Sequence, residues 1–282
     1  MTRGSNVLGQ LGTTASLGII GVQQHAFADA DFSGNAHAVY AYGKTTYVID
    51  DAHDLWAAGE NRWGQIGSAY GSLTPTAGWT RITSSGDVAA IDGAPGILFI
   101  LKKDGTLCYS GIYASHKIVP CALPAISAVR VTENTVYALA VDGTVYTASI
   151  DVPLKWMRLS SSTTYVVDFA ASGSYYGWID SNGSFYSNGI PYPNTWTYQD
   201  NYYLQTDILI KELETDGTNT VFMDVYNQIY YVDNDGNNKL VKRDSKASNL
   251  YSDAQNIYAV YEDGTILQWN RNNGRMYITV TP

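Results

Sequence analysis

Residues 96–111 read GILFILKKDGTLCYSG: two runs of apolar, strand-forming residues joined across Asp104-Gly105. An Asp-Gly pair between such runs is the strongest short-range hairpin signal, because Gly accepts positive φ and Asp tolerates the tight turn. The same unit returns four times, as TVYALAVDGTVYT at 135–147, SYYGWIDSNGSFYSNG at 174–189, TVFMDVYNQIYYVD at 220–233 and NIYAVYEDGTILQWN at 256–270. Its two-residue turns are Asp104-Gly105, Asp142-Gly143, Asn182-Gly183, Asn227-Gln228 and Asp263-Gly264, spaced by 38, 40, 45 and 36 residues. A longer hairpin precedes them, running from His37 as HAVYAYGKTTYVIDDAHDLWAAG. Short apolar segments such as Val88–Ile91, Ile126–Val129 and Tyr165–Phe169 stand upstream of three hairpins and predict an inner strand. Three or four strands every 40 to 50 residues, six times over, predict an all-β chain of the β-propeller class with six blades. Seven blades follow instead if residues 1–30 and the strand Met276–Val280 build one between them. On this reading 1–282 is one domain, with residues 1–30 helping to close the ring.

Composition supports the strand reading. The chain has 23 Tyr, 7 Trp and 6 Phe beside 26 Gly, while charged residues make up only 15%. A net charge of −9 opposes binding to a phosphate backbone, so nucleic acid is not an expected partner. The basic cluster Lys239, Lys242, Arg243 and Lys246 reads as a solvated loop. No apolar run is long enough to cross a bilayer, so no membrane insertion is expected and the protein reads as soluble. Residues 13–28 are interrupted by polar residues and follow a repeat motif, which argues against a cleaved signal peptide. Cys108 and Cys121 match neither a redox nor a zinc spacing and read as ordinary strand residues, with their pairing left open.

A second repeat lies near the start. GSNVLGQLG at 4–12 returns as GENRWGQIG at 59–67, with Gly, Asn, Gly, Gln and Gly in the same places. These residues shape turns: glycines permit positive φ, and amide side chains bond to backbone groups. With Ser33-Gly34-Asn35-Ala36-His37-Ala38-Val39 upstream, the pattern resembles the regulator-of-chromosome-condensation propeller family, whose blades carry a Gly-Gln loop and a Gly-x-x-His element. The close matches occupy the first quarter of the chain; the hairpin periodicity covers nearly all of it. The resemblance implies a propeller. Members of that family act as exchange factors, protein inhibitors or binding modules, and no insertion in this chain matches the wedge that exchange requires.

Motifs for chemistry are sparse. Asp29-Ala30-Asp31-Phe32-Ser33-Gly34 starts like a calcium loop, but Tyr40 stands where the bidentate Glu belongs, and Asp233–Asn237 reads as a polar loop. His25, His37, His53 and His116 have no nucleophile elbow to serve. Neither catalytic residues, a cofactor nor a metal is expected, and the chain reads as a non-enzymatic binding propeller. Its candidate interaction loop is YSNGIPYPNTWTYQDNYY at 186–203, carrying Tyr192, Trp196, Tyr198, Tyr202 and Tyr203; exposed Tyr and Trp offer contact area at small entropy cost and stack on sugars. The same aromatics serve equally well packed between blades.

Few charges with many Tyr, Asn, Gly and Thr, on drifted blades, resemble components of bacteriophage virions. The expectation is therefore a tail, fibre or capsid-associated protein, located in the virion, whose partners are other virion proteins or a host-surface receptor. Alternatives are a soluble bacterial binding or inhibitory module, and a propeller that binds glycan.

Overall fold

In the computed structural model the described residues are 2–5, 8–12, 23–28, 31–67, 78–114, 117–160, 165–173, 175–182, 184–188, 197–199, 202–204, 210–232, 238–241, 243–252, 256–270 and 276–280. Among them every regular element is a strand. β1 (Thr2–Ser5) and β2 (Gln23–Ala28) pair as a two-stranded sheet. Blade 1 follows with β3 (Ala36–Tyr42), β4 (Thr45–Asp50), β5 (Leu55–Gly59) and β6 (Thr80–Arg81). Blade 2 has β7 (Val88–Ala94), β8 (Ile97–Lys102), β9 (Leu107–Gly111) and β10 (Val119–Pro120). Blade 3 has β11 (Ile126–Val131), β12 (Thr135–Ala140), β13 (Val145–Ser149) and β14 (Met157–Arg158). Blade 4 has β15 (Val166–Ser172), β16 (Tyr175–Asp180), β17 (Ser184–Asn188), β18 (Thr197–Gln199) and β19 (Tyr202–Leu204). Blade 5 has β20 (Ile210–Thr215), β21 (Thr220–Asp224), β22 (Ile229–Val232) and β23 (Asn238–Leu240). Blade 6 has β24 (Ala247–Ser252), β25 (Asn256–Tyr261), β26 (Thr265–Asn270) and β27 (Met276–Val280). Blades 1, 2, 3, 5 and 6 are four-stranded meanders, blade 4 is five-stranded in the order β15-β16-β17-β19-β18, and the six sheets make the chain a six-bladed β-propeller. β27 pairs with β26 as the fourth strand of blade 6, so it builds no seventh blade with residues 1–30.

The chain divides into two compact units, one of residues 1–131 with 152–154, the other of 132–151 with 155–282. In the first, Tyr47, Ile49, Leu55, Val88, Ile91, Leu98 and Ile100 fill one core between blades 1 and 2. β8 is apolar on both sides because both are covered: Ile97 to Leu101 are all buried, which is why the sequence reads as a continuous run instead of an alternation. In the second, Phe185 meets Phe222 between blades 4 and 5, and Met223, Leu250, Leu267 and Trp269 join blades 5 and 6. Burying each such side chain contributes roughly 1.5–3 kcal/mol.

The hairpin turns differ in detail from the two-residue form the sequence suggests. Lys102 N–H donates to the Thr106 carbonyl (2.9 Å) and Gly105 N–H donates to the Lys102 carbonyl (3.0 Å), with Gly105 at φ +84° while Asp104 keeps negative φ. This is a three-residue loop: a type I turn followed by one left-handed residue. Asp104, Asp142 and Asp263 each accept the N–H of the Thr two places on (2.8–2.9 Å), which draws all three carboxyls below the usual carboxylate range. In blade 5 the turn is centred one residue earlier than Asn227-Gln228. Asn227 takes the left-handed place (φ +65°), and the Asp224 carboxylate accepts from Tyr226 and Gln228. The left-handed residue also joins blades: the carbonyls of His53, Gly105, Gly143 and Asn227 accept from the first residue of the next inner strand, Val88, Ile126, Val166 and Ala247.

Candidate functional site

The Gly-Gln loops are structural in both copies. Gln65 Oε1 accepts from Trp63 N–H (3.0 Å) as Gln10 Oε1 accepts from Leu8 N–H (2.9 Å); Gly64 and Gly9 have φ of +77° and +79°. Asn61 Oδ1 accepts from Ile66 N–H (3.1 Å), and both Asn61 and Gln65 are buried. These amide oxygens are thus occupied in closing the loop on its own backbone.

The predicted aromatic loop falls into three parts. Tyr192 and Trp196 lie outside the described residues. Tyr198, Tyr202 and Tyr203 lie on β18 and β19, where Tyr198 pairs with Tyr203 and Gln199 with Tyr202, and the order β15-β16-β17-β19-β18 makes this pair the extended edge of blade 4. Tyr186 stacks inside the blade on Trp178 (4.1 Å between ring centroids, 9° between planes) and on Tyr176 (6.1 Å). Offset stacking of this kind adds to burial.

His53 sits in the blade 1 turn, its Nδ1 3.0 Å from the Val88 carbonyl and its ring 5.3 Å from that of His37, so these two histidines belong to a blade junction. Asp31 is exposed, Asp29 and Asp233–Asn237 fall outside the described residues, and no group of three or more His, Cys, Asp or Glu among the described residues could hold a metal. Cys108 and Cys121 are both free thiols, and burial pushes the Cys108 thiol up. On the inner strands, Asp92 accepts from Val131 N–H (2.8 Å) and Gly93 N–H (2.8 Å). Burial raises its carboxyl despite the opposing charge of Arg130. Its role is to tie blade 2 to the next inner strand.

One open groove, of about 560 Å³, lies between blades 5 and 6 within the second unit. The blade 5 turn Tyr226-Asn227-Gln228 forms one wall, Leu240 and Val241 a second, and the segment 243–246 with Tyr261 the third. The sequence treats Arg243 as part of a solvated basic loop, but its side chain is only 23% exposed. The guanidinium lies 4.9 Å over the Tyr261 ring, and its terminal nitrogen donates to Asp263 (3.1 Å) and Thr265 (2.9 Å). That arrangement leaves the Arg243 Nε–H buried and without a hydrogen-bond partner among the described residues; the Tyr261 hydroxyl, 3% exposed as a residue, also has none among them. Burial pushes Tyr261 up to about 12, so the hydroxyl keeps its proton and remains a donor. Lys246 supplies a second cation and Asp244 one anion.

The groove exists because of what is missing at this junction. Between blades 3 and 4 the residue before the inner strand is Tyr165, whose hydroxyl bonds the Val141 carbonyl (3.1 Å) and whose ring sits 2.7 Å from where a Gly143 Cβ would be. Between blades 2 and 3 Ala125 packs on Gly105 in the same place. At blades 5 and 6 that place is taken by Lys246, which is exposed, opposite Asn227 in place of Gly. Sequence reasoning missed this site, although the departure from Asp-Gly at 226–227 and the Lys at 246 were its visible signals.

No family profile and no curated protein matches the chain. Solved structures do. The chain is similar to human WBSCR16 at 12% identity with a TM-score of 0.71, covering 99% of this chain and 93% of that one. It is similar to Prp20p of Saccharomyces cerevisiae, the yeast RCC1, at 11% identity and a TM-score of 0.63, covering 83% and 71%. YCF48 bound to D1 peptide matches at 11% identity and a TM-score of 0.52, covering 88% and 85%. At such identities the likeness concerns the fold, and it is to RCC1-like and other β-propellers.

Proposed function

We propose that this chain is a non-enzymatic binding propeller whose partner is another protein, and that its setting is a bacteriophage particle, as a tail, fibre or capsid-associated component. The observation that carries the binding reading is the exposure of apolar residues at hairpin tips. Val141 (55%) and Val225 (48%) stand where blades 2, 4 and 6 place Lys103, Ser181 and Glu262, and Tyr226 (69%) stands where blades 2, 3 and 6 place Asp104, Asp142 and Asp263. A turn tip gains nothing for folding from an exposed Val or Tyr, whereas a partner that covers it gains apolar burial. Among the similar propellers, Prp20p is described with binding to Gsp1p and histones and YCF48 with a D1 peptide, which supports a protein partner.

The virion setting is supported by composition: few charges, many Tyr, Asn, Gly and Thr, and repeated rigid β modules that expose few long edges on an external particle. Quantitative proteomics of purified particles, with the surrounding lysate as reference, tests it. Enrichment at a fixed copy number comparable with tail or capsid proteins supports the proposal. Absence from particles overturns the virion setting, and a soluble one-to-one protein complex then marks the chain as a binding or inhibitory module.

A further inference from the structure

We propose that the open edge of β1, with the exposed Val39 of blade 1 beside it, takes an apolar β-hairpin of a partner protein, which supplies the inner half of a blade whose outer half is β1 and β2. The inference rests on the reading of the chain as a protein-binding propeller and names the kind of segment that binds.

The two Gly-Gln loops place β1 and β2 within the repeat. Gly4 precedes Gly59 by 55 residues, and shifting β6 (Thr80–Arg81) back by that interval gives 25–26, inside β2 (Gln23–Ala28). The same shift lays β5 over the start of β1, and β1 pairs antiparallel with β2 as β5 does with β6. Both loops dock alike on the blade that follows. Trp79, the residue before β6, fills the space over Gly12, and Ile118, the residue before β10, stands over Gly67. The Gln10 carbonyl accepts from the Thr46 hydroxyl of blade 1, and the Gln65 carbonyl from the Ser110 hydroxyl of blade 2. β1 and β2 therefore meet blade 1 as the third and fourth strands of blade 1 meet blade 2.

In all six blades a second strand pairs with the inner side of the third, whereas β1 pairs only with β2 among the described residues. Such an edge binds another chain by strand addition. The fourth residue of each first strand reports the same gap independently. In blades 2 to 6 this residue is Ile91, Val129, Phe169, Leu213 or Leu250, none more than 8% exposed. Ile91 shares a core with Tyr47 and Ile49 of the preceding blade's second strand, as Leu213 does with Ile179 and Leu250 with Val221 and Met223. Its counterpart in blade 1, Val39, is 62% exposed. What covers Val39 is thus a second strand added to β1. The six second strands of the chain show its chemistry: TTYVID, ILFILK, TVYALA, YYGWID, TVFMD and NIYAVY are apolar-rich and carry charge only at the last residue. A charged strand would set an unpaired charge on Val39.

The test is amide hydrogen exchange of the intact chain, read by NMR. The probe is a blocked peptide copying residues 35–50, NAHAVYAYGKTTYVID, the inner hairpin of blade 1, with a scrambled peptide as control. In the free monomer the Thr2–Ser5 amides that face away from β2 should exchange quickly. The probe should slow them about tenfold or more, saturably below about 1 mM, and the scrambled peptide should not. Val39→Lys should weaken the probe about tenfold or more without lowering the melting temperature, because the position is exposed until the hairpin binds. The proposal is overturned if the β1 amides are already slow in the monomer, if the probe leaves them fast, if the scrambled peptide protects them equally, or if Val39→Lys binds as the parent does. It is overturned too if the chain forms a dimer that Val39→Lys dissociates, since the occupant is then a second copy. None of these readouts involves phage particles, so a negative result here leaves the particle experiment standing, and the converse also holds.

Discussion

Gly111→Ala and Gly173→Ala make a matched pair that isolates what the blade geometry demands of glycine. Both positions have positive φ, +106° and +59°. A Cβ at Gly173 meets nothing within 4 Å, so alanine there incurs only the left-handed strain of roughly 1–2 kcal/mol. At Gly111 the new atom runs into the Gly96 carbonyl oxygen, far inside the 3.0 Å that real Cβ atoms keep, and also lies 3.0 Å from Ile97 Cα. Relief requires β8 and β9 to separate at a point where Ile112 N–H donates to that same carbonyl (3.0 Å). Overpacking costs of roughly 1–3 kcal/mol therefore add to the strain, for a total near 3–4 kcal/mol. With about 2–4 °C per kcal/mol for a chain of this size, Gly111→Ala should melt roughly 6–16 °C below the parent and Gly173→Ala roughly 2–8 °C below it. Differential scanning calorimetry at neutral pH reads both. If the two variants fall within about 2 °C of each other, the close approach at the end of β9 does not govern stability and the reasoning fails. Gly59 meets the Lys44 carbonyl in the same way, so Gly59→Ala should behave like Gly111→Ala.

Tyr261→Phe removes a buried hydroxyl that has no hydrogen-bond partner among the described residues, so the variant should be as stable as the parent or more stable by up to about 1 kcal/mol, read by urea unfolding; a loss would mean the hydroxyl is bonded. Asp142 has its carboxyl lowered by the Thr144 backbone and side-chain hydrogen bonds, so its ionised form stabilises the fold above the unfolded value near 3.9, and that contribution is lost as pH falls through the lower folded value. Asp142→Asn should accordingly be slightly less stable than the parent at pH 6 and converge with it at strongly acid pH; a gap that widens on acidification contradicts the sign. Cys108 is buried with its thiol raised while Cys121 is partly exposed, so iodoacetamide at pH 8 should label Cys121 first and Cys108 only on unfolding, as counted by mass spectrometry.

The sequence by itself determined the hairpins and their order around a propeller of six or seven blades, because these depend on local chemistry; the pairing of Met276–Val280 with blade 6 decided for six. Apolar runs such as Ile97–Leu101 extend, Asp-Gly pairs turn the chain back, and the Gly-Gln loops close on their own backbone within nine residues. The inner-strand segments at 88, 126 and 165 were legible for the same reason. Turn centring in blade 5 was not, because Asn227 and Gln228 both suit a turn and only the ladder bonds of Asp224 fix which one takes positive φ. The aromatic segment at 186–203 could be read as a surface or as packing; the sheet pairing of β18 with β19 and the stacking of Tyr186 on Trp178 became definite only once distant strands met. The groove was decided by tertiary structure alone. Its donors come from residues 243 and 261, its rim from 226 and 240, and its openness from a Lys at 246 where another junction inserts a Tyr. A basic loop looks solvated in any sequence; packing against blade 6 set Arg243 over the Tyr261 ring and left its Nε–H and the Tyr261 hydroxyl buried without a hydrogen-bond partner among the described residues.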